Sequence, residues 1–264
     1  MTDPLVQWLI QASAIVTQLR CRVVATIPGP RAYCCANDGP ATEHAPSTLR
    51  YGSGPCRCAL ASHQVRLVAV TGGPGAGKTA VLEIAARSFC RHVAVLPEAA
   101  SIVFVGRFPR HATEPGRRAA QRAIYRVLRE VERLVAEEQQ VAVARCDRGT
   151  VDGLAYWPDP PETFWRDVGS KLSTEPARYS AVVHLRTPAI DEGYTGDRIR
   201  VESARQAAAL DQRILEAWAG HTSRTVVSAS TDFGAKATEA LELIRSQLPP
   251  CCLAHQVPDE KRLD

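Results

Sequence analysis

Gly72, Gly73, Pro74, Gly75, Ala76 and Gly77 run directly into Lys78, Thr79 and Ala80. The stretch fits G-x-x-x-x-G-K-[ST], a pattern whose chemistry is anion binding. Glycines let the backbone turn so that successive N–H groups face one point, and the N-terminus of a following helix adds partial positive charge there. Lys78 then reaches the outer phosphates of a bound nucleotide as a point charge, and the Thr79 hydroxyl is placed to ligate Mg²⁺. The pattern carries weight only between a strand and a helix, and Arg66 to Thr71 before it reads as a buried strand, Lys78 to Ser88 after it as a helix.

A triphosphate site also needs carboxylates and further cations. Asp147 closes the apolar run from Val141 to Cys146, so it leaves the sheet on the edge where ligands of parallel α/β folds bind, and is the second expected metal ligand beside Thr79. Arg148 follows it, in reach of phosphate or of a substrate hydroxyl. Glu98 ends the strand His92 to Leu96 at the same edge and can accept a hydroxyl proton, or else cap a helix starting at Ala99. Arg198 and Arg200 follow a loop containing Gly193 and Gly196, a placement suited to covering charge on a transferring phosphoryl group. Lys78, Glu98, Asp147, Arg148, Arg198 and Arg200 are therefore the expected catalytic set, and residues 72–80 the expected nucleotide cradle. Phe104, Arg107 and Phe108 fall on the loop after Glu98. Phe108, Tyr156 and Trp157 are candidates to stack on a base.

These residues need a scaffold, and the text supplies one. Further helices are expected over 114–138, 160–172, 201–219 and 233–247, with strands over 141–146, 181–185 and 225–228. Alternation of this kind predicts a three-layer α/β fold: a five-stranded parallel sheet, order 2-3-1-4-5 counting from the strand at Arg66, with helices on both faces. The 264 residues divide into an N-terminal extension over 1–63, helical near 5–19 and then rich in Pro, Gly and Cys; the domain over 64–248; and a frayed tail over 249–264. The formal charge of +4 is too small to imply a nucleic-acid partner, and the arginines at 117, 118, 122, 126, 129 and 133 recur at helical spacing as a salt-bridged outer face with Glu130 and Glu132. No stretch is long and apolar enough to span a bilayer. Nine cysteines, five of them before residue 60, with no secretory leader pattern, fit reduced thiols in a cytoplasmic protein. Cys34-Cys35 and Cys56-x-Cys58 lack the usual C-x₂-C zinc spacing.

Taken together, Leu96-Pro-Glu-Ala-Ala100 and Asp147-Arg-Gly-Thr-Val-Asp-Gly-Leu-Ala-Tyr-Trp-Pro158, with the loop at Gly72 to Thr79 and Arg198-x-Arg200-x-Glu202, resemble small NTP-binding proteins of an "AAA domain" family related to the ribosylnicotinamide kinase domain and to deoxynucleoside kinases. The resemblance covers about 64–248. It implies ATP, with GTP as an alternative, and Mg²⁺ as cofactors, and a monomeric or homodimeric enzyme phosphorylating a nucleoside-like or other hydroxyl acceptor, with Glu98 as base and Arg198 and Arg200 as lid arginines. Gly149 stands where the acidic-Arg-Ser pattern of the nucleoside kinases has Ser, and Asp147 where that pattern more usually has Glu. The rivals are a nucleotide-gated binding protein and a simple NTPase. A hexameric motor is not expected, since no second arginine-finger and sensor region is evident.

Overall fold

Arg66–Thr71 alternates little and is apolar through its centre, as a strand covered on both faces must be. In the computed structural model it forms β2, and Val68 and Val70 pack on one face of the sheet while Ala69 packs on the other. The structure describes residues 49–54, 56, 58–60, 62–188, 198–229 and 232–252, with the backbone alone for 198–204. All fall within the compact unit Pro46–Asp264. In chain order the elements are β1 (Arg50–Tyr51), β2, α1 (Lys78–Ser88), β3 (Val93–Leu96), α2 (Ala99–Val105), α3 (Glu114–Glu138), β4 (Val143–Asp147), a 3₁₀ turn (Thr150–Ala155), α4 (Pro161–Val168), β5 (Tyr179–Leu185), α5 (Arg198–Ala217), β6 (Arg224–Val227), α6 (Phe233–Arg245) and a 3₁₀ turn at Pro250–Cys252.

Six strands, not five, form the sheet, in the order β1-β3-β4-β2-β5-β6. The expectation of five parallel strands is corrected by β1, which pairs antiparallel with β3 through Arg50 opposite Val95 and Tyr51 opposite Ala94. Two residues carry no periodicity, so a strand this short is hidden in a sequence that otherwise reads as linker. The other five pair in parallel, with β2 between β4 and β5. Gly52 and Gly54 continue the edge through backbone bonds to Val93 and Phe89. Residues 1–48, including the expected helix near 5–19, lie outside the described residues.

Two cores flank the sheet. On one side Val81, Leu82, Ala85 and Phe89 of α1 and its end meet Ala237, Leu241 and Ile244 of α6. On the other, Tyr125 and Val135 of α3, Phe164 and Trp165 of α4, and Leu210 and Ile214 of α5 close over Ala69, Ala144 and Val182. Phe104 lies in α2 rather than on a loop, as does the apolar run around it. At the far end of the chain the expected frayed tail is corrected in part: Cys252 is buried against the α1 and α6 core.

Candidate functional site

The glycine loop leaves the C-terminal end of β2 and takes positive φ at Gly72 (132°), Gly75 (74°) and Gly77 (87°), conformations that a residue with a Cβ resists. Gly77 is the N-terminal boundary residue of α1 and supplies no side chain to cap it, so the helix's first N–H groups open onto the loop. A Cβ on Gly73 would collide with Thr187 Oγ1 and the Asp211 side chain. Lys78 is folded inward, donating from Nζ to Gly72 O (2.9 Å) and Gly73 O (2.8 Å). Burial and the neighbouring Arg148 cation pull its ammonium down to about 8, against the pull of Asp147, Glu98 and Asp152. Thr79 is exposed at the same helix start.

Asp211 holds the loop from behind. Its Oδ1 accepts the Gly73 N–H at 2.7 Å and lies 2.9 Å from His184 Nε2. Its Oδ2 accepts from Arg186 Nε at 3.0 Å. The carboxylate is buried, and although burial alone would raise its pKa, the His184, Gly73 and Arg186 interactions bring it below the usual carboxylate value. Asp211 is not among the residues singled out from the sequence. The signal was present: Ala207, Leu210, Asp211, Ile214 and Trp218 recur at helical spacing as one buried stripe, and Asp211 is its lone acid.

Beside the loop, β4 delivers Asp147 level with Val70 of β2. Burial and the nearby Glu98 carboxylate push Asp147 up to about 6. Arg148 follows with φ of 74°, an unfavourable conformation for a residue with a Cβ, and its N–H is held by Val70 O. That backbone aims the guanidinium back across the strand ends. Nε bonds Glu98 Oε1 at 3.0 Å, and Nη1 bonds both Gly72 O and Asp152 Oδ2 at 3.3 Å. Glu98 sits at the N-cap of α2 yet makes no side-chain cap: its second oxygen takes the Ser101 hydroxyl at 2.7 Å. Burial raises its pKa, but Arg148, Ser101 and Lys78 outweigh that and leave it below the ordinary value.

Asp152 completes this ring. It is buried and accepts from Thr71 Oγ1 (2.6 Å) and Trp218 Nε1 (2.5 Å), tying β2, the 3₁₀ turn and the end of α5 together. Among the stacking candidates, Trp157 is corrected: it is buried against Phe164, with Nε1 donating to Thr163 Oγ1. Tyr156 lies under Arg148, 5.7 Å from ring centre to guanidinium carbon. Phe233 is a better placed aromatic that the sequence did not single out, 37 % exposed and against the position a Gly77 side chain would occupy. The backbone of Arg198 and Arg200 opens α5; their side chains and the loop before them lie outside the described residues.

The donor set fits a nucleotide with its cation: a loop cradle that a Cβ would fill, an inward lysine, a hydroxyl at the helix start and an acid at the adjoining strand end. A family model described as an AAA domain matches residues 67–236, more than half of the chain. The chain belongs to that family. A search of curated proteins finds no match. The AAA-domain match spans β2, the glycine loop, Glu98, Asp147, Arg148 and Asp211, and so covers the whole site described above. It places the protein among P-loop proteins, whose common property is nucleotide binding and hydrolysis. No helix of the described residues is long and apolar enough to cross a membrane.

Proposed function

We propose that this AAA-domain protein is an ATP- and Mg²⁺-dependent kinase that transfers a phosphoryl group to the hydroxyl of a small, nucleoside-like molecule. The observation that carries the reading is Arg148, which joins a carboxylate at the end of β3 to the carbonyl of the first loop glycine. A carboxylate at this place is positioned to take the proton of an acceptor hydroxyl near the phosphates, as a kinase requires; the acceptor dependence of turnover separates this from the use of water.

In the resting protein Lys78 and Arg148 satisfy themselves on the carbonyls of Gly72 and Gly73 and on Glu98. Phosphate oxygens are better partners for both cations than carbonyls are. Nucleotide binding therefore draws Lys78 and Arg148 off the loop and loosens Arg148 from Glu98, whose carboxylate becomes more basic as that cation withdraws. Glu98 then takes the proton of the acceptor hydroxyl. The acceptor oxygen bonds to the γ-phosphorus, the bond from that phosphorus to the β,γ-bridging oxygen breaks, and the nucleoside diphosphate leaves with the electron pair. Mg²⁺, when bound by Thr79 and Asp147, supplies neutralisation of charge on the phosphate oxygens. Lys78, Arg148 and the lid arginines 198 and 200 stabilise the remainder, and Phe233 or Tyr156 offers a face to the base.

Incubation with Mg-ATP and a panel of nucleosides, including ribosylnicotinamide, tests this. At least one acceptor is expected to accelerate ADP release and to appear as a monophosphate; equal ADP release with and without every acceptor defeats the kinase reading. Glu98→Gln is expected to lower the acceptor-dependent rate about a hundredfold or more while nucleotide affinity holds. A second reading has its own support: the hold of Arg148 on Glu98 also suits a nucleotide-gated binding protein, for which Glu98→Gln would shift nucleotide-dependent binding while no acceptor is phosphorylated even by the unaltered chain.

A further inference from the structure

At the end of the sheet opposite the glycine loop, cysteines and histidines from three distant parts of the chain converge. Cys56 comes from the segment after β1, Cys90 and His92 from the turn into β3, and Cys252 from the last 3₁₀ turn. Their ligand atoms all lie within 4.8 Å of one another. Cys56 Sγ is 3.5 Å and Cys252 Sγ 3.6 Å from the same atom, His92 Nδ1. All six cysteines among the described residues are free thiols.

These distances have a chemical meaning. In a tetrahedral zinc centre, with sulfur at about 2.3 Å and nitrogen at about 2.1 Å, neighbouring ligand atoms stand roughly 3.4 to 3.8 Å apart. The two sulfur-to-nitrogen spacings fall in that range. A disulfide cannot use His92, and a merely apolar cysteine cluster has no reason to gather round one ring nitrogen.

We propose that Cys56, Cys90, His92 and Cys252 form a structural zinc site. Cys58 and His63 lie alongside, with Sγ and Nε2 3.8 Å apart, and offer a second set that shares His92 and Cys252. The first set is preferred because the Cys58 N–H points at Cys56 Sγ at 3.3 Å, the backbone donor that a metal-bound thiolate attracts. Each thiol gives up its proton as the metal binds. His92 binds through Nδ1 and carries its proton on Nε2, so the exposed Arg91, now 3.2 Å from Nε2, turns away. Four protein ligands close the coordination sphere, which makes the site a staple rather than a reactive centre. It would fasten the segment before β2 and the end of the chain to the start of β3.

The test is metal analysis of the whole chain, purified under reducing conditions and dialysed against metal-free buffer. One zinc per chain is expected, with X-ray absorption giving three sulfur neighbours and one nitrogen neighbour, a readout that needs no variant. Cobalt(II) in place of zinc should give the thiolate charge-transfer and intense visible bands of a tetrahedral site. Cys90→Ser and Cys56→Ser are expected to lower zinc retention at least about tenfold, while His63→Ala and Cys58→Ser retain it. A reduced wild-type chain that neither carries zinc nor takes it up overturns the site, as does a two-sulfur, two-nitrogen shell or loss of zinc in His63→Ala with retention in Cys90→Ser.

Discussion

Arg148 meets three partners at once, and its positive φ is the cost of aiming it there. Replacing it with Lys keeps the charge but loses the planar fork that serves Glu98, Gly72 and Asp152 together. Arg148→Lys should therefore lower nucleotide affinity and turnover together, read from a binding titration and steady-state rates. Asp211 acts one layer further back. Asp211→Ala releases the Gly73 N–H and strands His184 and Arg186, and is expected to weaken nucleotide binding about tenfold, or roughly 1.4 kcal/mol, measured by calorimetry. The glycines, Lys78, Glu98, Asp147 and Arg148 were legible because each sits at a strand end or in a spaced motif. Asp152 and Asp211 were not, because their roles depend on where Thr71, Trp218 and Gly73 arrive in space, and no local spacing reports that.

Helix α3 makes the same point for a whole element. Its range, 114–138, follows from the periodicity and from Thr113, whose hydroxyl accepts the Gly116 N–H as an N-cap. Its arginines do pair, but across to α4 and beyond as well as along the helix: Arg118 with Asp159, Arg122 with Asp167, Arg129 with Glu175. Glu132 departs from the expected outer face. It is buried, paired with Arg178 and accepting the Tyr179 hydroxyl at 2.5 Å. Glu132→Ala would leave Arg178 with Glu175 alone and take away the acceptor of the buried Tyr179 hydroxyl, and a loss of about 1–3 kcal/mol is expected in urea unfolding. Glu137→Ala, which removes only a solvent-exposed partner of Arg133, should leave the unfolding midpoint almost unchanged. The sequence showed Glu132 to be helical; that its face turns inward follows from β5 bringing Tyr179 and Arg178 beneath it.

For the molecule as a whole, the alternation of strands and helices was readable and the sheet's edge was not. Two cores of ordinary apolar residues hold the layers, and a charged residue lies against the first: Arg145 of β4 is fully buried, bonds Ala94 O through Nε, and has no hydrogen-bond partner at either terminal nitrogen. Burial pulls its guanidinium down to about 9, so at neutral pH it stays charged and the fold carries the penalty; stability is recovered only as the pH rises through that value. Arg145→Met, of similar length, is expected to stabilise the chain by about 1–3 kcal/mol, visible as a higher melting temperature. The edge strand β1 has a different kind of consequence. It covers β3, whose four residues Val93–Leu96 are all buried and uncharged, so a chain trimmed to begin at Gln64 would present a bare ribbon of open N–H and C=O groups. Such ribbons recruit one another. Light scattering after gel filtration should find the trimmed form growing into larger species with concentration while the whole chain keeps one size; an unchanged size on trimming would show that β1 and the residues after it do not guard this edge against self-association.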